Sequence, residues 1–332
     1  MRRHNSMSCK NTCIALVGFV FLSILLFALS TQIVFIENNH LNVVLANAYD
    51  RPSHGAVLIE CSTRAVLKGD GENNKTYPAS TTKILTALVV LESLPLDLKV
   101  KVPKEAVGVE GSSLYLKEGE ILTVEDLLFG MMLRSGNDAA VTLALSVSGS
   151  LDNFAILMNK KAVECGATNS NFVNPHGLHH SNHYTTALDL AYITAEAMKH
   201  QYFRHIVSMQ KARIGEGESL RAITNKNKLL WHYDGANGVK TGYTKNSGRC
   251  LVSSAKRGGM QLVAVVLNHP NMWQDSMALL DYGFDSFEMV DVEALHMFGD
   301  YGRQALQQVG SIPENLRPRR YPAPKIALYS ES

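Results

Sequence analysis

Strand-like segments stand at both ends of the folded part of this chain, and mostly helical sequence fills the long stretch between them. Residues 55–59 and 65–67 are short apolar runs around a polar turn, a pattern typical of a β-hairpin. Residues 250–254 and 261–267 form a second pair of this kind. Because both ends supply strands, we predict one sheet completed by N- and C-terminal segments, with a helical insert between them.

The insert carries start signals for several helices. Ser80 precedes an apolar face with helical spacing, and Ser150 is placed as the N-cap of the helix that follows it. Thr186 and Asp189 resemble a capping pair ahead of a helix over residues 190–198.

The first residues read as a targeting segment. Three basic residues precede residues 13–36, an uncharged run. A bilayer core of ~30 Å needs about 20 helical residues, so this run is long enough to span it, and the positive flank keeps the N-terminus in the cytoplasm. Ala46, Asn47 and Ala48 also have the small-x-small form of a cleavage site. We therefore expect an exported protein, either held at the cell membrane by this segment or secreted after cleavage, and we favour the anchor.

Three parts follow from these patterns. Residues 1–48 are a signal peptide or membrane anchor, residues 49–290 are one folded domain, and residues 291–332 are a short C-terminal extension. Within the extension, residues 292–309 have an amphipathic pattern, and four prolines punctuate the tail beyond them. We predict that the extension lacks a core and is partly disordered.

Composition excludes some classes of function. With 46% hydrophobic and 19% charged residues, the 332-residue chain is ordinary globular material. The net charge is +2 and no basic stripe alternates with aromatic residues, so we expect no nucleic-acid partner. Beyond the targeting segment the cysteines are Cys61, Cys165 and Cys250, an odd number, which we interpret as small buried hydrophobic residues.

Three short motifs stand in one order along the chain: Ser-Thr-Thr-Lys at residues 80–83, Ser-Gly-Asn at 135–137 and Lys-Thr-Gly at 240–242. Each alone is weak, because a helix cap or a turn would explain it. Ser-x-x-Lys also occurs at Ser208 and Ser253, which we take as chance. Together the motifs supply the groups needed to attack an amide with a serine and to hold a substrate that ends in a carboxylate.

The start of a helix suits a serine nucleophile. The first backbone N–H groups of a helix are unpaired and carry partial positive charge, which favours an oxyanion. Lys83 shares a helix face with Ser80 and could accept its proton. Such a lysine needs a lowered pKa, which burial or a second cation such as Lys240 would provide.

The second motif follows an apolar helix predicted over residues 124–133. Gly136 permits a tight turn before the next helix, so Ser135 and Asn137 can point into one cleft. Asn137 offers amide donors and an acceptor to a peptide substrate.

The third motif reads as an edge strand. Lys240 and Thr241 can bind a substrate carboxylate, while Gly242 lets another backbone approach closely.

Two other chemistries compete with this interpretation. Four histidines within residues 176–183 are dense enough to suggest zinc, but the segment lacks the His-Glu-x-x-His form and reads as a loop. A Ser-His-Asp hydrolase is also disfavoured, because the chain has no Gly-x-Ser-x-Gly elbow. We expect no metal or organic cofactor.

At these residues the sequence resembles the D-alanyl-D-alanine carboxypeptidases, the low-molecular-mass penicillin-binding proteins. The likeness covers residues 55–287, and it is greatest with the branch from Gram-positive, spore-forming bacteria. It implies the α+β fold of the β-lactamase/transpeptidase superfamily, an antiparallel sheet flanked by helices with an all-helical subdomain. The segments that carry it beyond the motifs are residues 78–87, 111–114, 133–140, 174–178 and 238–244.

The resemblance also implies catalytic roles. Ser80 would form the acyl-enzyme, Lys83 would accept its proton, and Ser135 would pass a proton toward the leaving D-alanine. The backbone N–H groups of Ser80 and Tyr243 would form the oxyanion hole.

Substrate binding is implied in the same way. Asn137 would bind the substrate backbone, and Lys240 with Thr241 and Gly242 would receive the terminal carboxylate. The substrate would be the peptidoglycan stem peptide ending in D-Ala-D-Ala, and β-lactams would be covalent inhibitors.

The sequence departs from the family pattern in two places. Many relatives carry a second, β-rich domain and a C-terminal amphipathic helix, whereas about 45 residues follow the catalytic domain here, which favours the N-terminal segment as the anchor. The early strand ends in Glu60-Cys-Ser-Thr-Arg, where relatives often have an aspartate and a glycine turn.

Two alternatives stay open at this point. A β-lactamase on the same fold would need a separate deacylating glutamate, and no Glu-x-x-x-Asn candidate lies between Asn137 and Lys240. The second alternative is a non-catalytic protein that has kept the fold and binds or senses the cell wall.

Overall fold

The structure is a computed structural model that describes residues 54–291 and 320–324. Its strands are β1 (Gly55–Glu60), β2 (Val66–Asp70), β3 (Lys99–Lys101), β4 (Ile121–Thr123), β5 (Lys211–Ile214), β6 (Arg221–Thr224), β7 (Ala236–Thr244), β8 (Gly248–Arg257), β9 (Met260–Leu267), β10 (Phe287–Asp291) and β11 (Arg320–Pro324). Its α-helices are α1 (Lys83–Ser93), α2 (Val124–Phe129), α3 (Asn137–Ser148), α4 (Leu151–Glu164), α5 (Ala187–Ala197), α6 (Gln201–Ser208), α7 (Leu229–His232) and α8 (Met272–Ser286).

The main sheet has five antiparallel strands in the order β2-β1-β9-β8-β7. Both predicted hairpins are present, as β1–β2 and β8–β9. The first strand of the chain pairs with β9, with Gly55 opposite Leu267. The predicted sheet of N- and C-terminal segments around a helical insert is therefore confirmed, and so is the α+β class.

Alternating residues of the sheet enter two different cores. Val57 and Ile59 of β1 belong to the large core that the sheet shares with the helical insert. Leu58, between them, packs in a second cluster with Leu280 and Phe284 of α8. The sheet is therefore covered by helices on both faces, which explains why β1 is buried along its whole length.

The predicted caps are present, with two changes in helix boundaries. The Ser150 side chain accepts from the Asn153 N–H at the start of α4. The Thr186 side chain accepts from the Asp189 N–H, so α5 begins at Ala187 rather than at residue 190. The single helix predicted over residues 124–133 is wrong in its second half, because the chain widens there into a π-turn, Gly130–Arg134.

The described part of the C-terminal extension contains a strand. β11 pairs antiparallel with β10 in a two-stranded sheet, and its prolines stand on an edge, where they are tolerated.

The targeting segment and the amphipathic pattern at residues 292–309 lie outside the described residues. In the region that the structure does describe, no single helix is long and apolar enough to cross a membrane. The bent pair α3 and α4 has the length and composition that crossing a membrane requires, and nothing else in the structure supports a span there.

The three cysteines of the folded domain were expected to be buried. Cys61, Cys165 and Cys250 are buried and free.

Candidate active site

Ser80 lies in a short 3-10 turn, Ala79–Thr82, that leads directly into α1. Lys83 is the first residue of α1 and is fully buried. Its Nζ lies 3.1 Å from Ser80 Oγ, and it donates to Asn137 Oδ1 and to the His176 carbonyl oxygen, each at 2.7 Å. The first two motifs are therefore joined by one lysine side chain.

The surroundings of Lys83 favour its neutral form. Burial lowers its pKa well below the ordinary value, and the charges of Lys240 and Lys226 lower it further. Asp138 acts in the opposite direction. A proton acceptor at Lys83 requires a lowered pKa, and burial and Lys240 both act in that direction. A neutral amine beside Ser80 Oγ can accept a proton.

The Ser135–Asn137 turn forms differently from the sequence prediction. Ser135 itself takes the left-handed conformation, at φ 67° and ψ 31°, whereas Gly136 has φ −57°. Gly136 is needed for space, because a Cβ there would lie 2.9 Å from Asp138 Oδ1 and 3.0 Å from Leu114 Cγ. The Ser135 side chain is almost fully buried within this turn.

Asn137 begins α3, and both the oxygen and the nitrogen of its side-chain amide form hydrogen bonds within the protein. Its Oδ1 accepts from Lys83, and its Nδ2 donates to the Glu110 carbonyl oxygen. An amide Nδ2 carries two hydrogens, so one donor is left for a substrate carbonyl.

The Lys-Thr-Gly motif lies on β7, which is an edge strand as predicted. Lys240 is buried, and its Nζ donates to the Thr241 carbonyl oxygen at 3.1 Å. Thr241 is half-buried. Burial, and then the charge of Lys226, lower the pKa of Lys240 to about 7. A Cβ on Gly242 would lie 3.1 Å from the Pro78 carbonyl oxygen and 3.2 Å from Ser80 N. The absence of a side chain there lets β7 lie against the nucleophile turn.

The register of β7 and β8 indicates where the Tyr243 N–H points. Tyr243 pairs with Arg249, whose carbonyl oxygen accepts from His269 N on the opposite side of β8. The Tyr243–Arg249 pair is therefore not hydrogen-bonded across β7 and β8, and the Tyr243 N–H faces the open edge. This is the edge beside Ser80, as an oxyanion hole requires. The Tyr243 side chain is exposed.

Two residues near the site were not identified from sequence. Asp138 is buried and accepts from Ser113 Oγ and from the N–H groups of Leu114 and Leu116, so it holds the loop that lies against Asn137. Lys226 donates from Nζ to Ser112 Oγ at 2.8 Å. Neither residue belongs to one of the three motifs. Asp138 does stand in the first turn of α3, where an acidic residue is a usual signal of a contact at the helix N-terminus.

The histidine-rich segment lies against the nucleophile helix. His183 Nδ1 accepts from Val173 N at 3.1 Å, and its Nε2 lies 2.9 Å from Thr82 Oγ1. Burial lowers the pKa of both His176 and His183 to about 3. Across residues 54–291 and 320–324, no group of three or more His, Cys, Asp or Glu side chains is placed to hold a metal ion.

The other two Ser-x-x-Lys sequences lie in structural settings. Ser208 Oγ donates to the His205 carbonyl oxygen at the end of α6, and Ser253 Oγ donates to the Ala264 carbonyl oxygen inside the main sheet.

Comparison with known proteins identifies related sequences. The sequence pattern of the family described as D-alanyl-D-alanine carboxypeptidase (Peptidase S11) matches residues 42–271. The carboxypeptidase DacF of Bacillus subtilis is 37% identical over 70% of this chain and 62% of its own length. The carboxypeptidase DacB2 of Mycobacterium tuberculosis is 35% identical over 71% of this chain and 83% of its own length.

Solved structures agree. A mutant of the Streptomyces K15 DD-transpeptidase superposes with a TM-score of 0.66 at 32% identity, covering 70% of this chain and 98% of that one. DacD from Francisella tularensis gives a TM-score of 0.67 at 27% identity, covering 73% of this chain and 72% of that one. The chain spans less than two thirds of the length of some curated relatives, DacF among them. The match over residues 42–271 and the identity with these carboxypeptidases show that the chain belongs to the D-alanyl-D-alanine carboxypeptidase family.

Proposed function

We propose that the protein is a serine-type carboxypeptidase that removes the terminal D-alanine from peptidoglycan stem peptides ending in D-Ala-D-Ala. The observation that carries the proposal is Lys83, a buried amine with a lowered pKa whose Nζ lies 3.1 Å from Ser80 Oγ. Family membership and the relatives named D-alanyl-D-alanine carboxypeptidase support the substrate class.

The reaction would proceed through an ester on Ser80. Lys83 takes the hydroxyl proton as Ser80 Oγ attacks the carbonyl carbon of the penultimate D-alanine. The N–H groups of Ser80 and Tyr243 stabilise the oxyanion, and Ser135 passes a proton to the leaving amine. Water then hydrolyses the ester and regenerates Ser80.

Cationic side chains favour a substrate with a free terminal carboxylate. Lys240 and Thr241 are the proposed ligands of that carboxylate, and the nearby charge of Lys226 adds to the positive potential. β-Lactams, which carry a carboxylate beside a strained amide, are the proposed covalent inhibitors.

Labelling with a fluorescent penicillin tests the nucleophile. We expect the unmodified protein to be labelled and to release D-alanine from a synthetic stem peptide, and Ser80→Ala to do neither. Ser208→Ala is the matched control, since it makes the same change in another Ser-x-x-Lys sequence, and it should retain both activities. Labelling of Ser80→Ala would show that the nucleophile is misassigned. Rapid loss of label from the unmodified protein would favour a β-lactamase.

For the site of action, we propose that the enzyme works outside the cytoplasm, held at the membrane by residues 13–36. The length and lack of charge of this run support the proposal. Deleting residues 1–48 should give an active protein that no longer partitions with membranes. A mature protein that starts at Tyr49 and is released freely would show cleavage after Ala48 and remove the anchor.

A further inference from the structure

A turn at residues 174–178 contacts the nucleophile helix through backbone atoms. Lys83 Nζ donates to the His176 carbonyl oxygen at 2.7 Å, and Thr86 Oγ1 donates to the Pro175 carbonyl oxygen at 2.7 Å. Because both acceptors are carbonyl oxygens, the path of the backbone decides whether these contacts form.

The same turn packs against the residue that precedes the nucleophile. Gly177 has φ 85°, and a Cβ there would lie 1.8 Å from the Ala79 carbonyl oxygen. Ala79 is itself held at φ 48°, a conformation that costs energy for a residue with a Cβ. The turn therefore contacts the backbone of Ala79, just before Ser80, and the side-chain amine of Lys83, three residues after it.

One side chain ties this turn together. Asn174 Oδ1 accepts from Gly177 N at 2.7 Å and from His176 N at 3.3 Å, and Asn174 Nδ2 donates to the Leu178 carbonyl oxygen at 2.9 Å. These bonds all run to the backbone of the turn and none to Ser80 or Lys83. Any effect of Asn174 on the reaction must therefore pass through the turn.

We propose that Asn174 is a positioning residue for acylation, which fixes the turn so that the His176 carbonyl oxygen holds Lys83 Nζ beside Ser80 Oγ. The inference rests on the proposed function, since it requires Lys83 to be the proton acceptor. Removing the amide lets the carbonyl oxygen move. A displacement of about 1 Å at a reacting group can cost about 10²-fold in rate.

Asn174→Ala in the full chain tests the proposal, with Asn171→Ala as the matched control. Asn171 lies three residues before the turn, and its Nδ2 donates to the Asn182 carbonyl oxygen, outside the turn. The acylation rate constant and the binding constant for a fluorescent penicillin are measured separately across a pH series, together with the thermal unfolding midpoint.

We expect Asn174→Ala to slow acylation by about 10–10²-fold while binding changes little. The acid limb of its rate profile should also move to lower pH, since the lost carbonyl contact had favoured the charged form of Lys83. Asn171→Ala should leave both rate and profile unchanged. Asn174→Asp keeps an oxygen that can accept from the His176 and Gly177 N–H groups, but it replaces the amide donor with an oxygen that faces the Leu178 carbonyl oxygen. It should therefore give an intermediate rate.

Three results would overturn the inference. These are an Asn174→Ala protein that acylates at the original rate, equal losses in the two alanine variants, and a failure of both Asn174 variants to fold, which would make the residue purely structural. The proposed function fails separately, if the unmodified protein is not labelled or if Ser80→Ala is.

Discussion

His183 gives the protein a stability that depends on pH. Its Nδ1 accepts from Val173 N, so the neutral ring carries its proton on Nε2 and donates it to Thr82 Oγ1. Burial, and then the charges of His180 and other neighbouring cations, lower the pKa of His183 to about 3. Protonation would place a donor against the Val173 N–H, so the folded protein resists it.

The expected size of the effect follows from this pKa. An unfolded histidine titrates near the ordinary value of 6.5, so between that pH and about pH 3 the unfolded chain binds a proton that the folded chain does not. The stability contribution is therefore fully present above pH 6.5 and lost as the pH falls toward 3. Each pH unit is worth about 1.4 kcal/mol, so two units below 6.5 the loss is roughly 3 kcal/mol.

The assay compares urea unfolding of the unmodified protein and of His183→Gln. At about pH 7 the variant should be less stable by roughly 1–3 kcal/mol, because a buried hydrogen-bonding group loses its partner. At about pH 4.5 this difference should shrink by roughly 3 kcal/mol and reach zero or change sign. Carboxylates that titrate in both proteins cancel in the difference. A difference that stays constant between the two pH values would refute the reasoning.

Four other outcomes are expected. Lys226→Gln should raise the pKa of Lys83 and move the acid limb of acylation to higher pH, unlike the neighbouring control Lys228→Gln; an unmoved limb would contradict the coupling. Gly242→Ala should slow penicillin acylation by about 10-fold or more, because its Cβ presses on the nucleophile turn, and an unchanged rate would show that the turn yields. Lys240→Ala should lose about 10–10³-fold in D-alanine release, and less on a substrate with an amidated terminus; equal losses would argue against carboxylate binding. EDTA should leave D-alanine release unchanged, and restoration of a lost activity by zinc would overturn the serine mechanism.

The parts of the fold that follow from local patterns were predictable. Alternating apolar runs identified both hairpins, and Ser150 and Thr186 identified two helix starts, because a cap depends on residues only a few positions apart. The strand with Lys240 was also predicted to be an edge strand, and it lies at one end of the main sheet.

The turn at Ser135 could not be predicted in the same way. Glycine is the residue that most often adopts a left-handed conformation, so the sequence predicted the tight turn at Gly136. Tertiary packing instead places Ser135 in that conformation and uses Gly136 for the close approach of Leu114. The contact between α1 and the turn at residues 174–178 was missed for a related reason, since backbone carbonyl oxygens have no residue-type signature.

The unusual end of the first strand has a local explanation. Glu60 is buried, and its Oε2 accepts from Ser62 Oγ and from the N–H and hydroxyl of Thr63. The carboxylate therefore organises the hairpin turn with its own neighbours.

The pairing of β1 with β9 also sets the order of events during synthesis. Leu267 is made roughly 210 residues after Gly55, its partner, which at about 5–20 residues per second is a delay of about 10–40 s. Until then β1 has only β2 beside it, and an isolated hairpin is marginal in water. The helical insert, rich in short-range contacts, can form during this delay. A chain interrupted before β7 would carry Ser80 and Lys83 without Gly242 and the Tyr243 N–H, so catalytic competence is among the last properties that the growing chain acquires.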